Sequence, residues 1–211
     1  MCEVMARFSE TQKEGRRQEI LAAARRRFAR NGFHSTTIAD IVRESGVSQG
    51  TFYLYFQTKD DVIAALADDR SQADALIGAI AGAEADPVAG LTTLFDLHGL
   101  SLADPQRADE RGVAIQGWAE ALRSEPVRER LLANTLRVRQ EIARLVERGQ
   151  ASGQFRADAE PQGFARALMA LFRGLTLLAA WEGGFDADLT AKTIEDMVRG
   201  ALAPVGAEAR S

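Results

Sequence analysis

Residues 36–56 read Thr36-Thr37-Ile38-Ala39-Asp40-Ile41-Val42-Arg43-Glu44-Ser45-Gly46-Val47-Ser48-Gln49-Gly50-Thr51-Phe52-Tyr53-Leu54-Tyr55-Phe56. The stretch predicts two short helices joined by a tight turn. Thr37 and Asp40 fit the Ser/Thr-x-x-Asp/Glu start signal, in which a hydroxyl and a carboxylate satisfy free amides of a first turn. Gly46 stands where the first helix needs a left-handed cap, a conformation glycine takes without a Cβ penalty. Ser48 then caps a second helix carrying Gln49, Thr51, Tyr53 and Tyr55. Short helix, glycine turn and second helix make a helix-turn-helix, whose second helix enters the major groove of DNA.

Upstream, Ile20, Ala24 and Phe28 form one apolar stripe of a helix from about Gly15 to Ala29, ended by Asn31-Gly32. Residues 1–14 lack such a stripe and are expected to fray. Phe28, Ile38, Ile41, Val42, Val47, Phe52 and Phe56 can close a small core for three helices. Thr36, Thr37, Gln49, Gly50, Thr51, Tyr53 and Tyr55 are left to face outward. Gln49 offers a donor and an acceptor together, which suits a base edge. Gly50 lets the backbone approach closely. Tyr53 and Tyr55 lie on different faces, and each offers a phenol to a phosphate. Ordinary packing is the other role open to both tyrosines.

Composition narrows the alternatives. The chain has 211 residues, 46% hydrophobic and 27% charged, the profile of a globular protein. The single cysteine, Cys2, allows no internal disulfide and fits a reducing cytoplasm. With two histidines and one cysteine, no metal site or cofactor is expected. No apolar run approaches the roughly 20 residues of a bilayer span, so no membrane partner is expected. There is no Gly-rich phosphate loop, G-x-S-x-G or H-E-x-x-H, which argues against an enzyme. Net charge is −4, but residues 1–57 hold nine Lys and Arg against six Asp and Glu. The basic end carries the helix-turn-helix and the acidic remainder carries something else.

Ile20-Leu21-Ala22-Ala23-Ala24, Phe28, Gly32-Phe33, Thr36-Thr37, Ile41, Gly46-Val47-Ser48, Gly50-Thr51-Phe52-Tyr53, Tyr55-Phe56 and Lys59 resemble the N-terminal signature of the TetR family of transcription regulators. The resemblance covers roughly residues 17–63. It implies a homodimeric repressor with an all-helical ligand-binding domain. It also implies that Thr36, Thr37, Ser48, Gln49, Gly50, Thr51, Tyr53, Tyr55 and Lys59 sit at DNA-contacting positions. Ile38 departs from relatives that carry a polar reading residue there, which shifts base reading to the second helix of the motif.

Thr58-Lys59-Asp60-Asp61 opens a long helix to about Ala83, with Thr58 as cap and Lys59 at its positive end, where phosphate is favoured. In the family this helix moves when ligand binds. Asp86-Pro87 starts the next helix, which places Phe95 and His98 on an apolar face. A satisfied core histidine is the simpler role for His98, and ligand contact the other. A helix from about Gln106 to Arg123 bears Gln116 and Trp118. An amphipathic helix follows Ser124-Glu125-Pro126 and ends between Gly149 and Gly153. Pro161 opens a helix apolar nearly all round, and Asp188 is expected to cap the last one.

The fold expected is all-α: a three-helix domain over 1–57, a helical ligand-binding and dimerisation domain of about six helices over 58–205, and a tail at 206–211. Phe95, His98, Gln116, Trp118, Met169 and Phe172 are candidate contacts for a hydrophobic or aromatic effector, though the same residues would make an ordinary core. Leu168, Leu175, Trp181, Ile194, Met197, Val198 and Ala201 are candidates for an isologous four-helix dimer interface. Double-stranded operator DNA is the other partner. A ligand-independent DNA binder is the alternative, with a small helical enzyme behind it.

Overall fold

The structure, a computed structural model, describes residues 2–182 and 186–204, with side chains described for these except 2–11, 68–77, 98–103, 105 and 187. Among the described residues there are no strands. The helices are α1 (Cys2–Ser35), α2 (Ile38–Ser45), α3 (Gln49–Tyr55), α4 (Lys59–Ala83), α5 (Pro87–Ala103), α6 (Ala108–Glu120), α7 (Glu125–Ala151), α8 (Pro161–Glu182) and α9 (Ala187–Leu202). A 3-10 turn at Pro105–Arg107 precedes α6. Three helices followed by six is the order the sequence implied.

Three boundaries differ. Helix α1 reaches back to Cys2 rather than starting near Gly15. Its exposed side lacks an apolar stripe but carries neighbouring opposite charges: Arg17 to Glu14 at 3.1 Å and Arg16 to Glu19 at 2.6 Å. Such pairs support a helix that packing does not hold. The expected single helix 106–123 becomes a 3-10 turn and a shorter α6, because the Asp104 carboxylate accepts from the Gln106 amide at 2.9 Å and ends the preceding run. The cap of α9 is Asp186, not Asp188: its Oδ1 accepts from the Leu189 amide at 2.9 Å.

The chain forms two compact units, Met1–Arg70 with Gly112–Leu131, and Ser71–Arg111 with Leu132–Ser211. The first unit is therefore wider than the expected 1–57. Its core needs the extra segments: Ile20, Leu21, Phe28, Ile41, Phe52 and Val62 are fully buried, and Val113 of α6 and Val127 of α7 complete the same cluster. Phe28 and Phe33 meet edge to face, with centroids 4.6 Å apart, a favoured aromatic geometry. The second unit closes on Leu91, Leu94, Phe95, Ile142, Leu145, Val146, Leu168 and Leu202.

Contrary to the expectation that no run approaches a bilayer span, α8, 22 residues long, is long and apolar enough by length and composition, its most apolar 18-residue window having mean hydropathy 1.4. Its Ala165, Leu168, Thr176 and Ala179 are buried in the second unit.

Candidate nucleic-acid interface

Each end of α2 and α3 is fixed by short-range chemistry. The Thr37 hydroxyl accepts from the Asp40 amide at 3.2 Å, and the Asp40 carboxylate accepts from the Thr37 amide at 3.0 Å. This is a reciprocal capping box. The Thr37 hydroxyl, then its amide, holds the Asp40 carboxyl below its ordinary value, with Arg43 and Arg27 adding to the effect. Gly46 closes α2 at φ 71°, where any other residue would be strained. The Ser48 hydroxyl accepts from the Thr51 amide at 3.0 Å and starts α3.

Helix α3 then has two unlike faces. Phe52 is fully buried, Phe56 nearly so, and Tyr55 packs half-buried against the same core. Gln49, Gly50, Tyr53 and Leu54 stand in solvent. The pairs 49/53 and 50/54 are each four residues apart, so they form two adjacent rows on one surface. Ile38 packs on the core, in keeping with its unsuitability for base reading.

Two of the residues expected at the outer surface point elsewhere. Thr36 is only 2% exposed, and its hydroxyl donates to the Gly32 carbonyl at 2.8 Å. Buried hydroxyls need such a partner, and the backbone of Gly32 supplies it where α1 breaks at φ 79°. Lys59 was expected to offer its charge to phosphate. Its ammonium instead donates to the carbonyls of Phe33 at 2.5 Å and Thr36 at 3.1 Å. These carbonyls follow the break in α1, where helix geometry no longer satisfies them.

Two further features escaped the sequence reading. Arg26, Arg27 and Arg30 of α1 surround Glu44 of α2 at 3.0, 3.1 and 2.8 Å. Three cations on one carboxylate fasten α2 to α1 and leave positive charge in excess. The Arg26 hydrogen bond is the main cause of a Glu44 carboxyl held below its ordinary value, with Arg30 and Arg27 contributing. Second, the Gln116 amide spans the break in α1: Oε1 accepts from the Phe33 amide and Nε2 donates to the Phe28 carbonyl, both at 3.0 Å. Gln116 lies on an open groove of about 420 Å³ lined also by His34, Glu120, Leu122 and Arg123. Both polar atoms of its amide are thus engaged with the backbone of α1. A lone glutamine on α6 gives no sequence signal for a partner 88 residues away.

The other effector candidates divide between the units. Trp118 is half-buried in the first. In the second, Phe95 and Phe172 meet edge to face at 5.7 Å, and Met169 packs on the same cluster. The side chain of His98 lies outside the described residues. A cavity beside Phe95, Thr92 and Glu195 measures about 20 Å³, room for a water and no more. On α7, Asn134 is 7% exposed and its side-chain oxygen has no hydrogen-bond partner. A buried acceptor of that kind calls for a donor.

The dimer candidates separate as well. Leu168, Ile194 and Val198, expected at an interface, are buried inside the unit, and Leu175 is half-buried against the same core. Trp181 at 73% and Met197 at 63% exposure stand out, with Ala201 exposed beside them. Leu178 and Leu189, which the sequence reading omitted, share that exposure.

A capped helix-turn-helix on a basic helix, followed by six helices, defines a DNA-binding transcription regulator. Residues 20–66 match the family model described as bacterial regulatory proteins, tetR family, and residues 94–203 match the BetI-type transcriptional repressor C-terminal model. The chain belongs to the tetR family of bacterial regulatory proteins. It is similar to the regulator UidR of Escherichia coli, 25% identical over 168 residues, covering 79% of this chain and 82% of that protein. Among solved structures, GusR of Salmonella enterica is 27% identical with TM-score 0.74, covering 89% of this chain and 95% of that one. A SmeT–triclosan complex shares the fold at TM-score 0.76 and 23% identity, covering 91% and 93%. The first curated relatives match more closely but briefly, 38–48% identical over 50–58 residues, and the chain spans only 22–30% of their length.

Proposed function

We propose that this chain is a homodimeric, cytoplasmic repressor that reads a palindromic operator through α3 and is released by a small hydrophobic or aromatic effector. The observation that carries the reading is the pair of exposed rows on α3, Gln49–Tyr53 and Gly50–Leu54, held rigidly over a buried Phe52. Gln49 reads a base edge; Tyr53 and the caps Thr37 and Ser48 serve the phosphates. Thr51 and Tyr55 are half-buried and set the pitch of the helix on the core. Lys59 acts indirectly, by fixing the backbone that presents Thr37.

Leu178, Trp181, Leu189 and Met197 suit an isologous interface with a second copy. Two α3 helices about 34–36 Å apart would then meet successive major grooves. Phe95, Phe172 and Met169 favour an apolar effector, and the orphan oxygen of Asn134 favours one carrying an N–H or O–H donor. SmeT, solved as a complex with triclosan, is a case of a small molecule bound by a protein of this fold. An allosteric coupling of about 1–3 kcal/mol is typical and sufficient to shift operator occupancy.

Selection of binding sites from random duplex DNA, followed by titration at fixed salt, tests this reading. The expected outcome is an inverted repeat bound by a dimer, with binding reduced by compounds that also raise the melting temperature. Equal binding to all sequences overturns the repressor reading. Gln49→Ala should relax one base pair per half-site at a cost of about 1–3 kcal/mol.

A further inference from the structure

Leu54 lies on α3 and is 82% exposed. Between residues 12 and 66, Tyr53 and Leu54 are the large apolar side chains left in solvent. Both ends of Tyr53 have a role in this reading: its ring meets Phe52 edge-on at 5.6 Å, and its phenol is placed for a phosphate. Leu54 has neither a packing partner in the core nor a polar atom. A single exposed leucine is ordinary on a protein surface. This one sits four residues after Gly50, in the same row of the helix.

Gly50 is not demanded by the protein itself. A Cβ there would meet nothing nearer than the Ser48 hydroxyl at 3.9 Å, and its φ is negative. Glycine inside a helix is disfavoured relative to alanine. One row thus carries a missing side chain and then a bare leucine, each unfavourable in water. Helical leucines lean back over the preceding turn, which here is Gly50. The row is a notch with an apolar edge, flanked by the Gln49 amide. Among the base edges of the major groove, the apolar group is the C5-methyl of thymine.

We propose that Leu54 is a specificity-determining residue that packs on a thymine methyl in each half-site, with Gly50 providing the clearance for α3 to come that close. The proposal rests on the reading of α3 as the groove-entering helix. It is continuous with that interface, because Gln49 and Tyr53 occupy the adjoining row.

The test uses the full-length protein and an operator selected from random duplex DNA. Each thymine is replaced singly by deoxyuridine, which keeps base pairing and removes only the C5-methyl. The wild type should lose about 4-fold in affinity at one symmetric position per half-site, the effect of one buried methyl-sized group. Leu54→Ala should bind the thymine operator more weakly and lose that discrimination, so its thymine-to-deoxyuridine ratio falls to about 1 at that position. Leu54→Met, which keeps an apolar reach, should retain it. Unchanged thermal unfolding of both variants excludes misfolding, as expected for so exposed a site. A wild type indifferent to deoxyuridine everywhere, or a Leu54→Ala protein with an undiminished ratio, overturns the proposal. Gln49→Ala and Tyr53→Ala separate the two failures. If they weaken binding while methyl sensitivity is absent, only the role of Leu54 falls. If they bind with unaltered affinity and preference, the reading of α3 itself falls.

Discussion

The two compact units treat apolar surface in opposite ways. The unit holding α1–α3 exposes Tyr53, Leu54 and Leu122; the other exposes Ile80, Leu132, Leu136, Leu178, Trp181, Leu189 and Met197. The first unit also consumes its polar groups internally. Thr36, Lys59 and Gln116 each satisfy backbone atoms near the break in α1. A surface meant to meet DNA benefits from this closure, because a rigid α3 loses little freedom on binding. The second unit leaves apolar area on four helices, and Leu178, Trp181, Leu189 and Met197 share the consecutive pair α8 and α9. That pattern belongs to a surface completed by something else, and a second copy of the chain is the proposed occupant.

If the first unit is closed by its core, Phe52→Ala should have the largest effect, about 3–5 kcal/mol, read in denaturant unfolding, with specific DNA binding lost. A loss below about 1 kcal/mol would show that α3 is held by its neighbours in sequence instead. For the second unit, Trp181→Glu combined with Met197→Glu should weaken self-association by about 2 kcal/mol or more, as for central interface aromatics. Sedimentation should then show monomers of unchanged helicity, and a dimer that persists would move the interface away from these residues.

Gln116→Ala should cost about 1–3 kcal/mol, the penalty for leaving buried backbone groups unpaired, and calorimetry would resolve it. An unchanged unfolding temperature would mean that water replaces the amide without loss. The smallest effect concerns pH. Asp40 and Glu44 are both held below their ordinary carboxylate values. Groups with a depressed folded-state pKa stabilise the fold above the unfolded value, about 3.9 for Asp and 4.3 for Glu. That stabilisation is lost as pH falls through the lower folded value. Glu44→Gln should therefore flatten the acid side of the first unit's stability profile and leave neutral pH little changed. A slope identical to the wild type would mean the arginine cluster is solvated rather than structural.

What could be read in advance followed from the range of the forces involved. The caps of α2 and α3 involve residues three apart, so Thr37, Asp40, Gly46 and Ser48 were legible. The stripe of Ile20, Ala24 and Phe28 was legible because helical periodicity marks a core face, and all three are buried. Thr36 looked like a groove residue because a threonine hydroxyl gives no hint of a carbonyl left to accept from it by a broken helix. The backbone partners of Lys59 were hidden for the same reason: they are 23 to 26 residues away. Ile194 and Val198 show a different limit. Periodicity finds an apolar face without saying whether one's own unit or another copy covers it. Leu54 fitted neither core nor hydrogen-bonding surface, and only its exposure drew it out.

The presence of residues 112–131 in the first unit has a practical consequence for hybrid regulators. Recombining DNA-reading heads with foreign sensors is most simply done by cutting the chain once, after the N-terminal signature. In this protein such a cut strands Val113, Val127 and Gln116 in the discarded piece. The grafted head would present an open core and two unpaired backbone groups to its new host. A working transplant must carry α6 and the start of α7 with it, or supply their equivalents. The head of this regulator is therefore a discontinuous cassette rather than an interchangeable N-terminal module.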